Sequence, residues 1–421
     1  MKTSNLLQMN NLKILFSPCH YVYDKDNSGS EFSWAFNIAD RISSQNKDSV
    51  VITGFKTFKE RKNYKIIELQ KNKNRVDMSI GNAFLFNLQY FLATHKQLNR
   101  QKYDIVHHVL PFAIGSTFNM SLLLRGANNI PFIIGPVQSL LEVRDKDSNS
   151  SDLRNFNPSV KKMNFSLVSN INAIFAPFFK YLSLQTLKRA DKIVTINKYT
   201  RVLLISKGIK KNIIEIIPPG VDILKFQFFP YEEKTIMPIE FISVGYLLQR
   251  KCVDLVIRAL EKVINVNKHI RLRIIGDGPQ RQALEDLVRE LNLSDYIMFE
   301  GFIRNSEVQT YYRKAHVFVS MSRSESWGQM YLEAMACGLP VISSKNVGSE
   351  SIIQEGEFGY LVEQENVKEL AEKMIYLIEH PDVIASFGKK ARQEVEKKYD
   401  WEKVIIPKYL KVYSEVISAR T

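Results

Sequence analysis

Cysteine is scarce in this chain, with 3 in 421 residues. Cys19, Cys252 and Cys337 lie far apart, which excludes a disulfide framework and the paired spacing of a zinc knuckle. Long apolar runs are missing too. No stretch approaches the roughly eighteen consecutive apolar residues of a bilayer-crossing helix. Met1–Asn11 is polar and lacks the apolar core of a secretory leader, so the expected location is the cytoplasm. None of the strand candidates named below ends on Asp-x-Asp, so no divalent-metal site is expected. Acidic residues are unevenly withheld. Residues 1–220 hold 31 Lys and Arg against 15 Asp and Glu, whereas residues 221–421 hold 27 against 29. All of the formal +14 excess therefore lies in the first half. An imbalance of that kind points to a polyanion such as nucleic acid, anionic lipid or a phosphorylated acceptor; general solubility is the simpler alternative.

What is present is enough apolar residue, 45 %, for two α/β cores. Short apolar runs alternate with amphipathic segments, the pattern of parallel strands joined by helices. In the first half the strand candidates are Lys13–Ser17, Ser49–Thr53, Ile105–His107, Pro131–Ile134, Lys192–Ile196 and Ile213–Ile217. In the second they are Glu240–Val244, Arg271–Ile275, Tyr296–Phe299, His316–Val319 and Val341–Ser343. Pro218, Pro219, Gly220, Pro230 and Pro238 interrupt the rhythm. The expected organisation is a first Rossmann-like domain over 1–220, a linker over 221–238, a second such domain over 239–402, and a closing helix over about 403–421 packed back on the first. Ligands of such doubly wound sheets bind at the carboxyl ends of strands, so two of them facing each other would share a cleft.

The stretch with most chemistry is Ser322–Ser344, SRSESWGQMYLEAMACGLPVISS. A strand ends near Ser320, a polar loop carries Glu325, and a helix is expected to open near Ser326–Gly328 and stop at Gly338. Amides of Ser326, Trp327 and Gly328 at that helix start would form an anion site. Glu333 falls farther along the same helix, on the order of 10 Å from Glu325 at ~1.5 Å per residue. That spacing suits a sugar–diphosphate–ribose unit with a carboxylate at each end. Glu325 and Glu333, followed by Ala334-Met335-Ala336-Cys337-Gly338-Leu339-Pro340-Val341-Ile342, closely resemble the E-x7-E motif of the retaining glycosyltransferases of family 4, which have the GT-B fold.

Further matches follow in the family's order. Pro219-Gly220-Val221-Asp222 with Phe226 resembles the hinge motif. Ser243-Val244-Gly245-Tyr246-Leu247 with Lys251 resembles the phosphate motif, Gly276-Asp277-Gly278-Pro279 the turn after the second strand of the second domain, and Gly301-Phe302-Ile303 the loop that packs on the base. Gly348 and Glu350 fall in the G-G-x-x-E segment, with Ser349 in place of its second glycine. Two departures fall on the phosphate loop: Tyr246 stands where the family has Arg, and Cys252 where it has Gly. Arg250 or Tyr246 is then expected to assist Lys251, since a diphosphate leaving without metal needs at least two donors or cations. In the first half, Asn27-Ser28-Gly29-Ser30-Glu31 resembles the G-G-x-E loop, and Gly29 allows close approach of backbone to phosphate or acceptor. Ile133-Ile134-Gly135-Pro136-Val137 resembles an acceptor-pocket loop, and His107 or His108 takes the place of a histidine near the donor sugar.

The resemblance implies a metal-independent transferase that retains anomeric configuration and needs no cofactor beyond a nucleotide-sugar, with UDP-sugars the family's commonest donors. Lys251, Arg250, Gly245 and the Ser326–Gly328 amides would hold the diphosphate. Glu333 would bind ribose, Phe302 and Ile303 the base, and Glu325 the sugar hydroxyls. The acceptor would be a glycan or a lipid-linked molecule in cell-surface synthesis. An NAD-dependent oxidoreductase would need G-x-G-x-x-G after a strand, which Gly276-Asp277-Gly278-Pro279 does not supply. A catalytically silent GT-B binding module stays open because of Tyr246 and Ser28.

Leu153–Ala190 contains no acid but holds Arg154, Lys161, Lys162, Lys180, Lys188 and Arg189. Leu167, Val168, Ile171, Ile174, Phe175, Phe178 and Leu182 recur there at helical spacing around Pro177. Such a segment either covers the sheet or lies on an anionic membrane at its inner face. No nucleic-acid motif accompanies it, so nucleic acid is not the expected partner.

Overall fold

The computed structural model describes residues 12–19, 22–23, 30–56, 62–69, 80–109, 112–113, 118–123, 130–138, 165–233 and 238–420. Contacts divide the chain into two compact units, which are taken in turn.

The first unit is built on β1 (Ile14–Phe16), β2 (Val22–Tyr23), β3 (Val50–Thr53), β4 (Phe55–Lys56), β5 (Lys65–Glu68), β6 (Ile105–His108), β7 (Phe112–Ala113), β8 (Phe132–Gln138), β9 (Lys192–Thr195) and β10 (Ile214–Ile216). The main sheet is parallel in the order β10-β9-β8-β6-β1-β3-β5, with β7 on β8, while β2 pairs with β4. Register is set by apolar pairs such as Ile14 with Ile105 and Leu15 with Val50. The strands read as near-continuous Ile, Val and Phe runs because helices cover both faces. Their helices are α1 (Ser30–Gln45), α2 (Ile80–Arg100), α3 (Met120–Leu123), α4 (Phe165–Lys188) and α5 (Lys198–Ser206).

Crossover handedness fixes which face each helix takes. From β6 the chain steps through β8, β9 and β10 in one direction, and from β1 to β3 in the other. Right-handed crossovers then put α4 and α5 side by side on one face and α1 on the opposite one. The helix after Trp401–Ile405, which closes the chain (Ile406–Ser418), packs on the α1 face. There Arg41 of α1 pairs with Glu402, and Tyr409 and Tyr413 pack on the ring of His107. Helix α4 runs uninterrupted through Pro177.

The second unit carries β11 (Ile239–Val244), β12 (Ile270–Ile275), β13 (Ile297–Gly301), β14 (Val317–Ser320), β15 (Val341–Ser344) and β16 (Gly359–Val362). They form one parallel sheet in the order β13-β12-β11-β14-β15-β16. The intervening helices are α6 (Val253–Ile264), α7 (Arg281–Glu290), α8 (Val308–Lys314), α9 (Gln329–Ala336), α10 (Val347–Ile352), α11 (Val367–Glu379) and α12 (Pro381–Lys398). The stripe Val253, Val256, Ile257, Leu260 and Val263 of α6 is buried against this sheet, as its spacing requires. Segment 221–233 is packed rather than extended. Phe226 is buried, and Arg392 of α12 donates to the Phe226 carbonyl at 2.7 Å and to the Ala336 carbonyl at 2.8 Å.

Candidate active site

In the second unit the strand order reverses between β11 and β14, which lie side by side. The loops leaving their carboxyl ends are where an open α/β sheet binds ligands. The first runs Gly245–Cys252 and the second Met321–Gly328. They are tied together by the Arg323 amide donating to the Arg250 carbonyl at 2.9 Å, and by Arg250 Nη1 donating to the Ser324 carbonyl at 2.8 Å.

Glu325 is the meeting point. Lys251 Nζ donates to its Oε1, Ser322 Oγ donates to the same atom at 2.9 Å, and Arg250 Nη1 lies 3.7 Å away. Burial pushes the Glu325 carboxyl up, but the charges of Lys251 and Arg250 outweigh it and hold the group below its usual value. Gly348, at the start of α10, donates its amide to the Glu325 carbonyl at 2.8 Å. A Cβ there would meet the Trp327 carbonyl oxygen at 2.5 Å, so only glycine permits this approach.

The phosphate-motif loop is shaped by two close backbone contacts. A Cβ on Gly276 would fall 1.9 Å from the Gly245 carbonyl oxygen, and one on Gly278 would fall 2.6 Å from that of Leu247. The loops after β11 and β12 therefore touch backbone to backbone. Cys252 sits at φ 47, the left-handed region in which a side chain is strained, so a glycine here would be natural. The thiol is buried and contacts the Gln249 carbonyl at 3.4 Å. Tyr246 is 40 % exposed.

The helix opens near Gly328, as the sequence suggested: Gly328 adopts φ 86 as its N-cap and α9 begins at Gln329. Trp327, whose amide is expected at the helix start, turns its indole into the core against Tyr399. Ser326 and Trp327 thus precede the helix, and Gly328 alone borders it. Glu333 lies one turn inside α9 and is 8 % exposed. Tyr312 of α8, itself fully buried, donates its hydroxyl to Glu333 Oε2 at 3.2 Å. Burial pushes the Glu333 carboxyl up to about 7, against the pull of Lys225 and of this hydrogen bond. Lys225 also bonds Asn305 and lies over the Phe226 ring. Neither Tyr312 nor Lys225 was found by sequence reasoning. Tyr311 and Tyr312 are adjacent and alike, and no spacing tells which one turns inward. After β13, Phe302 is 64 % exposed, and Ile303 is half-buried beside it.

In the first unit the strand order reverses between β1 and β6. His107 and His108 end β6 and point to opposite faces of the sheet, as consecutive strand residues must. Both are fully buried. His107 Nδ1 lies 2.7 Å from the Tyr413 hydroxyl, and Asn119 Nδ2 lies 3.1 Å from His108 Nδ1. Burial lowers both imidazoles to about 3, so they are neutral. The loop with Gly29 lies outside the described residues.

Two doubly wound parallel sheets, the second with a cation–carboxylate cluster at its switch point, define a protein of the GT-B class. The fold is shared with the Anabaena protein HepE, solved in complex with UDP, at TM-score 0.67 and 16 % identity over 96 % of this chain and 100 % of that one. Residues 226–394 match the family described as glycosyl transferases group 1, and residues 33–224 match glycosyltransferase family 4. The chain belongs to glycosyltransferase family 4. It is 29 % identical to an uncharacterized glycosyltransferase of Haemophilus influenzae over 56 % of this chain, an alignment spanning 64 % of that protein's length. It is 24 % identical to the alpha-monoglucosyldiacylglycerol synthase of Acholeplasma laidlawii over 73 % of this chain and 74 % of that one. Among the described residues no helix is long and apolar enough to cross a membrane.

Proposed function

We propose that this chain transfers a sugar from a nucleoside-diphosphate sugar, a UDP-sugar first among them, to a glycan or lipid-linked acceptor, with retention and without a metal ion. The observation that carries the reading is the cluster of Lys251, Arg250 and Glu325 where β11 and β14 end. Two cations there answer the need of a leaving diphosphate for compensating charge. In the donor complex the diphosphate takes Glu325's place on Lys251 and Arg250, and the carboxylate so released orients sugar hydroxyls. Gly245 would lie close to the same phosphates, since Lys251 Nζ is 3.8 Å from where a Cβ on that glycine would be. Glu333 receives the ribose, and the exposed Phe302 with Ile303 packs on the base. The acceptor hydroxyl attacks on the face from which the diphosphate departs, and its proton passes to that diphosphate. No second carboxylate serves as a nucleophile in this scheme.

The acceptor is placed at an anionic membrane, on the inner face. In support, the Acholeplasma relative is named for a glycolipid product. Helix α4 also exposes Phe178 at 54 % and Tyr181 at 58 % beside the exposed Lys180, whereas Leu182 is half-buried; the side chains of 165–176 lie outside the described residues. Tyr246 favours one second reading, a binding module that keeps the donor pocket without turnover.

A melting series with UDP, GDP, ADP, CDP and their sugars separates these readings. UDP is expected to raise the melting temperature, and its sugars are expected to be consumed in excess EDTA. Activity restored only by Mg²⁺ or Mn²⁺ would contradict the metal-free step, and binding without consumption of any sugar would favour the silent module.

A further inference from the structure

Helix α5 presents a second apolar face that the core does not use. Thr200 and Leu204 are buried, whereas Tyr199, Val202 and Ile205 are 43 %, 66 % and 38 % exposed. At ~100° per residue these three form one stripe centred opposite the buried pair. The helix is fixed in place by Asn197, whose side chain accepts from the Thr200 amide at 2.8 Å, so the stripe belongs to an ordered element.

The charge around it is predominantly of one sign. From residue 165 to residue 215 the acids are Asp191 and the exposed Glu215, set against Lys180, Lys188, Arg189, Lys192, Lys198, Arg201, Lys207, Lys210 and Lys211. Asp191 is itself engaged, accepting from the Phe132 amide at 2.7 Å and pairing with Arg420. Lys198 on the helix, and Lys210 and Lys211 shortly after it in the chain, are exposed. Topology adds an independent observation. Because β8, β9 and β10 are consecutive neighbours, α4 and α5 lie side by side on one face of the sheet. Phe178 and Tyr181 of α4, also exposed, therefore share that face with Tyr199, Val202 and Ile205.

We propose that the α5 stripe is a docking surface for an anionic lipid bilayer, with Tyr199, Val202 and Ile205 entering the interface and Lys198, Lys210 and Lys211 meeting lipid phosphates. The inference rests on the membrane-proximal acceptor proposed above and adds to it a specific element of the first unit. A bilayer is the occupant that suits both features at once. Exposed apolar side chains accompanied by an excess of cations gain from burial in the acyl boundary and from the negative surface potential.

The test is co-sedimentation of the full chain with phosphatidylcholine vesicles, with and without phosphatidylglycerol, at low and high salt. The unaltered chain is expected to bind the anionic vesicles and to lose binding with salt. The combined variant Tyr199→Ser, Val202→Ser, Ile205→Ser is expected to lower partitioning on the order of tenfold or more. Its melting temperature and its shift with UDP should stay those of the unaltered chain, since these residues lie outside the donor site. Lys198→Glu with Lys210→Glu and Lys211→Glu should weaken binding and flatten its salt dependence. Failure of the unaltered chain to bind either vesicle sinks the membrane reading itself. Binding by the unaltered chain that the α5 variants leave intact, while Phe178→Ser with Tyr181→Ser abolishes it, overturns the α5 surface and leaves the membrane reading standing. Loss of self-association in the α5 variants, without vesicle binding by the unaltered chain, assigns the stripe to a second copy and overturns the proposal.

Discussion

At Glu333 two requirements oppose each other. The ribose contact proposed for it calls for a charged carboxylate, yet enclosure disfavours that charge. The fold gives it one hydroxyl donor, Tyr312, and one nearby cation, Lys225, and its pKa still rises from 4.5 to about 7. The folded chain then holds a proton there between about 4.5 and about 7 that the unfolded chain releases. Ionising the group therefore weakens the fold as pH rises through that window, by at most roughly 3 kcal/mol above pH 7. Glu333→Gln keeps an acceptor for Tyr312 and removes the charge. It is expected to melt higher than the unaltered chain at pH 8 and equal to it near pH 4.5, while binding UDP more weakly. Lower melting at both pH values would show that the carboxylate is held by contacts the structure does not contain. Glu325 has the reverse balance, since Lys251 and Arg250 keep it ionised, and its replacement should lower turnover more than nucleotide affinity.

The elements that carry these side chains are strands ending in glycine-rich turns, and the turns tolerate little. Gly276→Ala would drive a Cβ into the Gly245 carbonyl, so the loops after β11 and β12 must part. A loss of about 2–4 kcal/mol in stability, together with loss of UDP binding, is expected; overpacking and left-handed strain both contribute. An intact melting temperature with normal binding would mean that the loop contact is dispensable. Much of this was legible beforehand. Runs such as IEFISV, VFVS and VISS mark central parallel strands because both of their faces are buried. Missed were β2, β4 and β7, too short to show a period, and the edge strands β5 and β16, whose Lys65, Glu68 and Tyr360 blur the apolar run. The opening of α9 near Gly328 was legible, whereas the left-handed backbone of that residue, at φ 86, and the inward turn of Trp327 were not. The paired histidines were legible as the end of a strand, whereas the packing of Tyr409 and Tyr413, some 300 residues later in the chain, on His107 was not.

At the scale of the whole molecule, charge divides the chain as the sheets do. The basic first half supplies the α4 and α5 face, and the near-neutral second half supplies the cations of the proposed donor pocket singly, at Arg250 and Lys251. The central claim is that those two residues carry the leaving diphosphate. It is tested most directly by the rate of UDP release from a UDP-sugar in excess EDTA, for the unaltered chain and for Lys251→Ala and Arg250→Ala. The account predicts steady release by the unaltered chain and a fall of roughly 30- to 1000-fold in Lys251→Ala, the loss of about 2–4 kcal/mol of transition-state stabilisation. A smaller fall is expected in Arg250→Ala, whose contact with Glu325 is longer. Equal rates in all three would contradict it.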